Sequence, residues 1–297
     1  MLEKHEQGKG TGCPFFLSKT GQPILLKSPL IMGVINCSPN SFYQSSIAVN
    51  KETVLGLAGQ MIAEGANILD IGGEATNPFV NIEREAPSIQ EEIDRVAPHI
   101  EAIKARFDIL VSVDTSCPEV MRAAVSAGAD MINDQRALSR EGAKQTVADL
   151  KVPVCLMHMF EAIRRPKDSS KAELLAQIKQ DLKRHVNECL GAGILAERII
   201  IDPGFGGGNY GKDADENFYL LAHLAEFLEF NLPTLVGLSR KSFIGAVLQE
   251  EDFNQRLYGS LAGALLSVQQ GAHILRVHDV KATADALKIM AATNAQL

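Results

Sequence analysis

The 297-residue sequence has no stretch approaching about 18 uninterrupted apolar residues, the length a membrane-spanning helix requires, so no membrane association is expected. Its opening segment, MLEKHEQGKGTG, also lacks the apolar centre of a signal peptide. Net positive charge is missing: 29 Lys and Arg against 36 Asp and Glu leave −7, which argues against nucleic acid as the main partner. Any anion must then be held by local basic clusters. No CxxC pair occurs among Cys13, Cys37, Cys117, Cys155 and Cys189, a pattern of reduced structural thiols in a cytoplasmic protein. No linker, solenoid repeat or low-complexity stretch divides the chain. What is present, 46% hydrophobic and 22% charged residues, suffices for a sizeable core. We expect a flexible N-terminus over residues 1–12 and a single domain over 13–297.

Eight strand-like runs stand out: LIMGVIN (30–36), NILDIG (67–72), ILVSVD (109–114), MIND (131–134), VPVCLMH (152–158), RIIID (198–202), TLVGLS (234–239) and HILRVHD (273–279). Most are continuously apolar, as strands buried on both faces of a parallel sheet are. Helical patterns such as ETVLGLAGQMIAEGA and PEVMRAAVSAGA separate them, several ending in Gly-Ala as Gly-capped helices do. Strict alternation over eight units predicts an α/β fold, a (β/α)8 TIM barrel, in preference to an open doubly wound sheet. The preceding FFLSKTGQPILLK (15–27) reads as a β-hairpin turning at Lys19, Thr20, Gly21 and Gln22, placed to plug the lower mouth of the barrel.

Function in such a barrel sits at the carboxyl ends of the strands. Those ends carry Asn36, Asp70, Asp114, Asn133 with Asp134, His158, Asp202, Lys241 just past the seventh run, and Arg276 with His278. A barrel interior prefers Val, Ile and Leu, and a buried carboxylate costs free energy unless paired or hydrogen-bonded. Polar groups at every end therefore point to a ligand. Asp114, Asn133 and Asp202 suit a neutral heterocycle with several N–H donors and one carbonyl. Asn36, Arg276 and His278, from the adjacent first and eighth strands, offer oxygen to a metal and positive charge to phosphate. The SRKSF turn adds Arg240 and Lys241 where a strand hands over to a helix N-terminus. His158 has no second His or Cys at ligand spacing and reads as structural, Cys37 as a small apolar filler, and Glu74 as a brace for the loop that follows it.

The motifs LIMGVINCSPNSF, DIGGEATNP, SVDTSCPEVMRAAVSAGADMINDQ, VCLMHM, IDPGFGGG, LVGLSRKSFIG and RVHDVKATADAL, over about residues 30–290, resemble those of the dihydropteroate synthases, the folate-pathway enzymes targeted by sulfonamides. The resemblance implies a (β/α)8 homodimer that condenses 7,8-dihydropterin-6-methyl diphosphate with 4-aminobenzoate, releasing diphosphate through an SN1-like pterin cation. It further implies a pterin held by Asp114, Asn133, Met157, Asp202 and Lys241. The diphosphate would meet Asn36, Thr76, Arg276 and His278, with Asn36 the protein ligand of a Mg²⁺ ion. The aminobenzoate would lie near Phe42, Thr76, Ser242 and the backbone around Arg240. Catalysis would fall to Asp114, Asp202, Lys241 and Asn36.

Departures from the family pattern cluster in loops. Asn40 and Gln44 stand where loop one of the family has acids, Asn77 where loop two has Arg, and Gly206, Gly207, Gly208 and Asn209 where the family has Gly-Phe-Gly-Lys. Three readings remain open: a working synthase with compensating loop chemistry, altered aminobenzoate or sulfonamide selectivity, or a noncatalytic pterin-binding paralogue. A methyltetrahydrofolate-dependent methyltransferase shares the ring contacts but has no use for the SRKSF turn or an Arg276 and His278 anion site.

Overall fold

The computed structural model describes residues 14–38, 50–74, 86–160 and 169–296. The first elements among the described residues form an antiparallel hairpin, β1 (Phe15–Leu17) and β2 (Pro23–Leu25). Eight parallel strands follow: β3 (Leu30–Asn36), β4 (Ile68–Gly72), β5 (Leu110–Asp114), β6 (Met131–Asp134), β7 (Val154–Met157), β8 (Ile199–Asp202), β9 (Leu235–Val236) and β10 (Ile274–Val277). They pair in the order β8-β7-β6-β5-β4-β3-β10-β9, and a parallel bridge from Ile201 to Thr234 joins the last strand to the first. The barrel predicted from the alternation is thus present, with its hairpin.

Helices α1 (Lys51–Glu64), α2 (Ile89–Arg106), α3 (Pro118–Ser126), α4 (Ala143–Leu150), α5 (Lys171–Gly191), α6 (Ala214–Ala222), α7 (Ser242–Leu248), α8 (Leu257–Gln269) and α9 (Val280–Asn294) lie between and after the strands. Their ends follow local chemistry. The Ser88/Glu91, Ser170/Glu173 and Asp213/Glu216 capping boxes start α2, α5 and α6 by satisfying backbone donors at both ends of each box. Gly65, at φ 109°, closes α1 in the left-handed conformation that the Gly-Ala endings predict.

The seventh run was expected as strand over 234–239, but only Leu235 and Val236 pair as β9. Arg240 then takes a φ of 58°, which an extended strand does not hold, so the chain has left the sheet by the end of the run.

Strand alternation decides what each residue faces. Ile31, Ile35, Leu69, Ile71, Val111 and Val113 point outward into the shell between sheet and helices. The opposite parity points inward. At the amino ends of the strands it gives Met32, Ile68, Met131, Cys155, Ile200, Leu235 and Ile274, which pack on Phe16 of the hairpin. Phe16 is only 1% exposed, so the hairpin does plug the lower mouth. Its turn is fastened by Lys19, whose ammonium lies 3.0 Å from Asp130 and donates to the Gly128 carbonyl at 2.9 Å.

Candidate active site

Followed upward, the same inward parity changes from apolar to polar. On β3 to β5 it reaches Asn36, Asp70, Gly72, Ser112 and Asp114; on β6 to β8 it reaches Asn133, Met157 and Asp202; on β10 it reaches Arg276, then His278 just beyond. Register aligns Asn36, Gly72, Asp114 and Asn133 on four neighbouring strands, while Met157 pairs with Asp202. One mouth therefore collects most of the strand-end residues that the sequence singled out. Asp134 has the other parity and turns away. Its carboxylate accepts from the Arg136 and Leu138 backbone N–H groups and from Ser116, shaping the turn after β6.

The charge at this mouth is organised around Arg276. Its Nε donates to Asp70 at 2.6 Å and its Nη2 to Asp114 at 2.7 Å. Asn133 donates to the same Asp70 oxygen at 3.1 Å. The other Asp70 oxygen, Oδ1, is buried with no hydrogen-bond partner among the described residues. Burial works against the guanidinium charge, but Asp70 and Asp114 outweigh it and raise the Arg276 pKa further. Burial lifts the Asp114 carboxyl to about 7, even with Arg276 and two hydrogen bonds from Gln135 favouring its charged form. Asp114 is thus poised to exchange a proton near neutrality, and two carboxylates on one cation leave room for a further donor.

Across the mouth, Asp202 accepts the Gly204 N–H at 2.7 Å, and burial raises its pKa while Lys241 pulls it back. Burial lowers Lys241 to about 8 against the pull of Asp202. The lysine ammonium donates to the Phe205 carbonyl and sits 4.3 Å from the centre of the Tyr210 ring. Tyr210 in turn donates to the Gln135 carbonyl oxygen at 3.0 Å. Gln135, Tyr210 and Lys212 were passed over in the sequence. Gln135 directly follows a strand end, and Tyr210 and Lys212 follow the GFGGG run, which is where they could have been sought.

His278 was expected to bring positive charge. Burial, followed by the nearby Arg276, lowers it to about 3, so the ring is neutral here, 3.1 Å from the Ser239 hydroxyl and edge-on to Phe253. Arg240 does not turn its side chain into the mouth. Its guanidinium forms a two-pronged pair with Asp279 at 2.7 and 2.6 Å and donates to the Phe253 and Asn254 carbonyls. The side chain thereby ties the Ser239–Ser242 turn to the start of α9, leaving its backbone at the rim. Ser242 opens α7, and a Cβ placed on Gly207 would lie 3.6 Å from its hydroxyl.

His158 is inside a polar chain, 3.4 Å from Asp181 and 3.5 Å from the Lys212 ammonium, which agrees with the structural role read from its spacing. Glu74 takes both prongs of Arg136, at 3.0 and 3.2 Å, and so braces the stem of the second loop. Cys37 is buried, with its thiol pushed up to about 12, as a filler would be. Asn40, Phe42, Gln44, Thr76 and Asn77 lie outside the described residues.

A family model described as pterin binding enzyme matches residues 32–278. The dihydropteroate synthase of Haemophilus influenzae is 46% identical over 269 residues, 90% of this chain and 95% of its own. Among solved structures, a Coxiella burnetii dihydropteroate synthase in complex with pteroic acid superposes with a TM-score of 0.87 at 50% identity, covering 94% of this chain and 98% of its own. A Yersinia pestis dihydropteroate synthase with a sulfonamide drug complex does so at 0.86 and 39% identity, covering 95% and 100%.

Proposed function

Because this chain belongs to the pterin-binding enzymes, and among them to the dihydropteroate synthases, we propose that the mouth formed by Asp114, Asn133, Asp202, Lys241 and Arg276 carries out that family's condensation. The enzyme joins 7,8-dihydropterin-6-methyl diphosphate to 4-aminobenzoate and gives dihydropteroate and diphosphate. The observation that carries the assignment of roles is the change of inward parity from Met32, Ile68 and Met131 to Asn36, Asp70 and Asn133 within single strands. A purely structural barrel has no reason to make that change.

Asp114, Asn133 and Asp202 present two carboxylates and an amide to the N–H edges and carbonyl of the pterin, with Lys241 and Met157 beside the ring. Binding ring N–H groups favours ionised carboxylates, so substrate draws Asp114 from its poised state into the acceptor form. The bond from the pterin methylene carbon to the diphosphate oxygen breaks, its electron pair leaving with diphosphate. Asp114 and Asp202 stabilise the cation left on the pterin. The neutral arylamine nitrogen then attacks and releases its proton to solvent, so no strong base is needed. Ser242 and the backbone at Arg240 receive the aminobenzoate at the rim, a role the family resemblance also gives to Phe42 and Thr76.

The residues present fit a Mg²⁺ ion. A Cβ built on Gly72 would lie 3.8 Å from Asn36 Oδ1 and 3.9 Å from Asp114 Oδ2, so hard oxygen donors converge over a bare glycine. Among the described residues no group of three His, Cys, Asp or Glu could hold a metal alone, which suits an ion that keeps waters and takes phosphate oxygens as ligands. Asn36 would hold it, and Arg276 and His278 would flank the diphosphate. Bound there, the ion would neutralise charge on the leaving group.

Homodimerisation is supported by Tyr258 and Leu266 on α8, Val247 on α7 and Ile289 on α9, apolar side chains 81%, 49%, 63% and 72% exposed. A cytosolic location fits the buried thiols of Cys37, Cys117, Cys155 and Cys189. Among the described residues no helix is long and apolar enough to cross a membrane. A steady-state assay with both substrates and Mg²⁺ tests the activity: formation of dihydropteroate with equimolar diphosphate is expected, and pterin binding without diphosphate release would overturn it.

A further inference from the structure

Tyr210 and Gln135 form a unit with Asp114 that the pterin reading does not require. Gln135 donates from its NH2 to Asp114 Oδ1 and to Asp114 Oδ2, both at 2.9 Å, so the amide sits with its NH2 toward Asp114. The amide oxygen then faces the other way. Tyr210 meets it there, its hydroxyl donating at 3.0 Å. The phenol thus locks the amide in the orientation that serves Asp114.

The turn that delivers Tyr210 is built for one placement of the ring. Gly206 lies at φ 134°, and a Cβ there would come within 2.6 Å of Tyr210 Cδ2, so the ring is seated on bare backbone. On the far side Gly211, at φ 74°, leaves room for Phe160, whose Cβ would be 3.0 Å from an added Cβ. The Lys212 ammonium is buried 3.4 Å from the Tyr210 carbonyl and 5.0 Å from the Phe160 ring centre, and contacts His158 at 3.5 Å. Tyr210 is therefore held from behind while its ring supports Lys241 at 4.3 Å in front.

We propose that Tyr210 and Gln135 are positioning residues for the pterin: Tyr210 orients the Gln135 amide, and the amide aims the Asp114 carboxylate at the ring edge it is to receive. The inference rests on the pterin reading of Asp114. It predicts coupling, because whatever the hydroxyl does through the amide is lost with the amide.

The experiment is a double-mutant cycle of Tyr210→Phe and Gln135→Met, with binding of 6-hydroxymethylpterin followed by its own fluorescence and KM measured for each substrate. Phe keeps the ring under Lys241, and Met keeps the volume of Gln135. Loss of one buried hydrogen bond should weaken pterin binding about 5-fold in Tyr210→Phe, and loss of two bonds to a charged group about 30-fold in Gln135→Met. The double variant should match Gln135→Met within about 2-fold, and KM for 4-aminobenzoate should stay within about 2-fold throughout. Multiplicative losses in the double variant, or a KM for 4-aminobenzoate that rises as far as that for the pterin, would overturn the proposal. Turnover by the unmodified protein is recorded alongside. Absent diphosphate release with intact pterin binding would remove the synthase activity alone, while multiplicative losses in an active enzyme would remove only the Tyr210–Gln135 coupling.

Discussion

Both ends of the barrel bury a carboxylate among cations, and they treat it differently. At the lower end Asp130 is met by Lys19 at 3.0 Å, by Lys104 at 2.8 Å and by the Val111 N–H at 2.9 Å. Two positive charges and a backbone donor serve one negative group, and the lysines remain 33% and 26% exposed. At the upper end the ratio reverses: Asp70 and Asp114 share the single guanidinium of Arg276, and Asp70 Oδ1 has no partner among the described residues. The lower cluster is complete by itself and fastens a hairpin. The upper one keeps unused hydrogen-bonding capacity and an Asp114 lifted to about 7, which is the state of a site that a substrate completes.

The comparison is tested most severely at Arg276. Arg276→Met leaves two buried carboxylates without their cation, and should lower unfolding free energy in urea by about 3–5 kcal/mol and product formation by about 1,000-fold. A loss below about 1 kcal/mol would mean that Arg276 is not what holds the two carboxyl groups in place. Asp202→Asn should act on chemistry more than on binding. Its kcat should fall about 100-fold while pterin affinity changes less than about 3-fold. Equal losses would reduce Asp202 to a binding group.

A third, smaller effect concerns the polar chain behind the site. Burial lowers His158 to about 4 from 6.5 when unfolded, so the unfolded chain takes up a proton first as pH falls. A depressed pKa gives stability that is present above pH 6.5 and is lost toward pH 4. Between pH 7 and pH 5 this amounts to about 2 kcal/mol. Asp114, raised to about 7, has the opposite sign: it favours the fold at low pH and loses that contribution as pH rises through 7. Urea unfolding of the parent protein and of His158→Gln at both pH values separates the two, and the variant should be less acid-sensitive. An unchanged slope would show that His158 is not the group responsible.

How much of this was legible in the sequence follows from what each feature depends on. The runs LIMGVIN and MIND, apolar up to their polar ends, became β3 and β6 with unchanged bounds, because burial on both faces writes itself directly into composition. The polar strand ends were legible for the same reason, as exceptions to that composition. TLVGLS overextends the seventh strand, because the chain turns out of the sheet by Arg240, whose left-handed backbone is not visible in an apolar pattern. The neutral state of His278 and the turn of the Arg240 side chain away from the mouth depend on burial and on partners far apart in sequence, such as Asp279. Tyr210 and Gln135 are 75 positions apart, and no local spacing announces such a pair.

The smallest effect belongs to the lower end, where the comparison can be sharpened without touching the site. Asp130→Asn removes the charge that Lys19 and Lys104 share, but both lysines reach water and can be solvated in its absence. The Val111 N–H keeps an oxygen acceptor if the new amide turns its carbonyl toward it. Partly exposed pairs of this kind are worth little singly, so unfolding free energy should fall by only about 1–2 kcal/mol, with kcat and both KM values within about 2-fold of the parent. Protease cleavage at the hairpin should rise, because Lys19 is the link between its turn and the barrel. If Asp130→Asn instead lowered kcat as Arg276→Met does, the two ends would be coupled through the strands and the separation of a fastening end from a working end would fail.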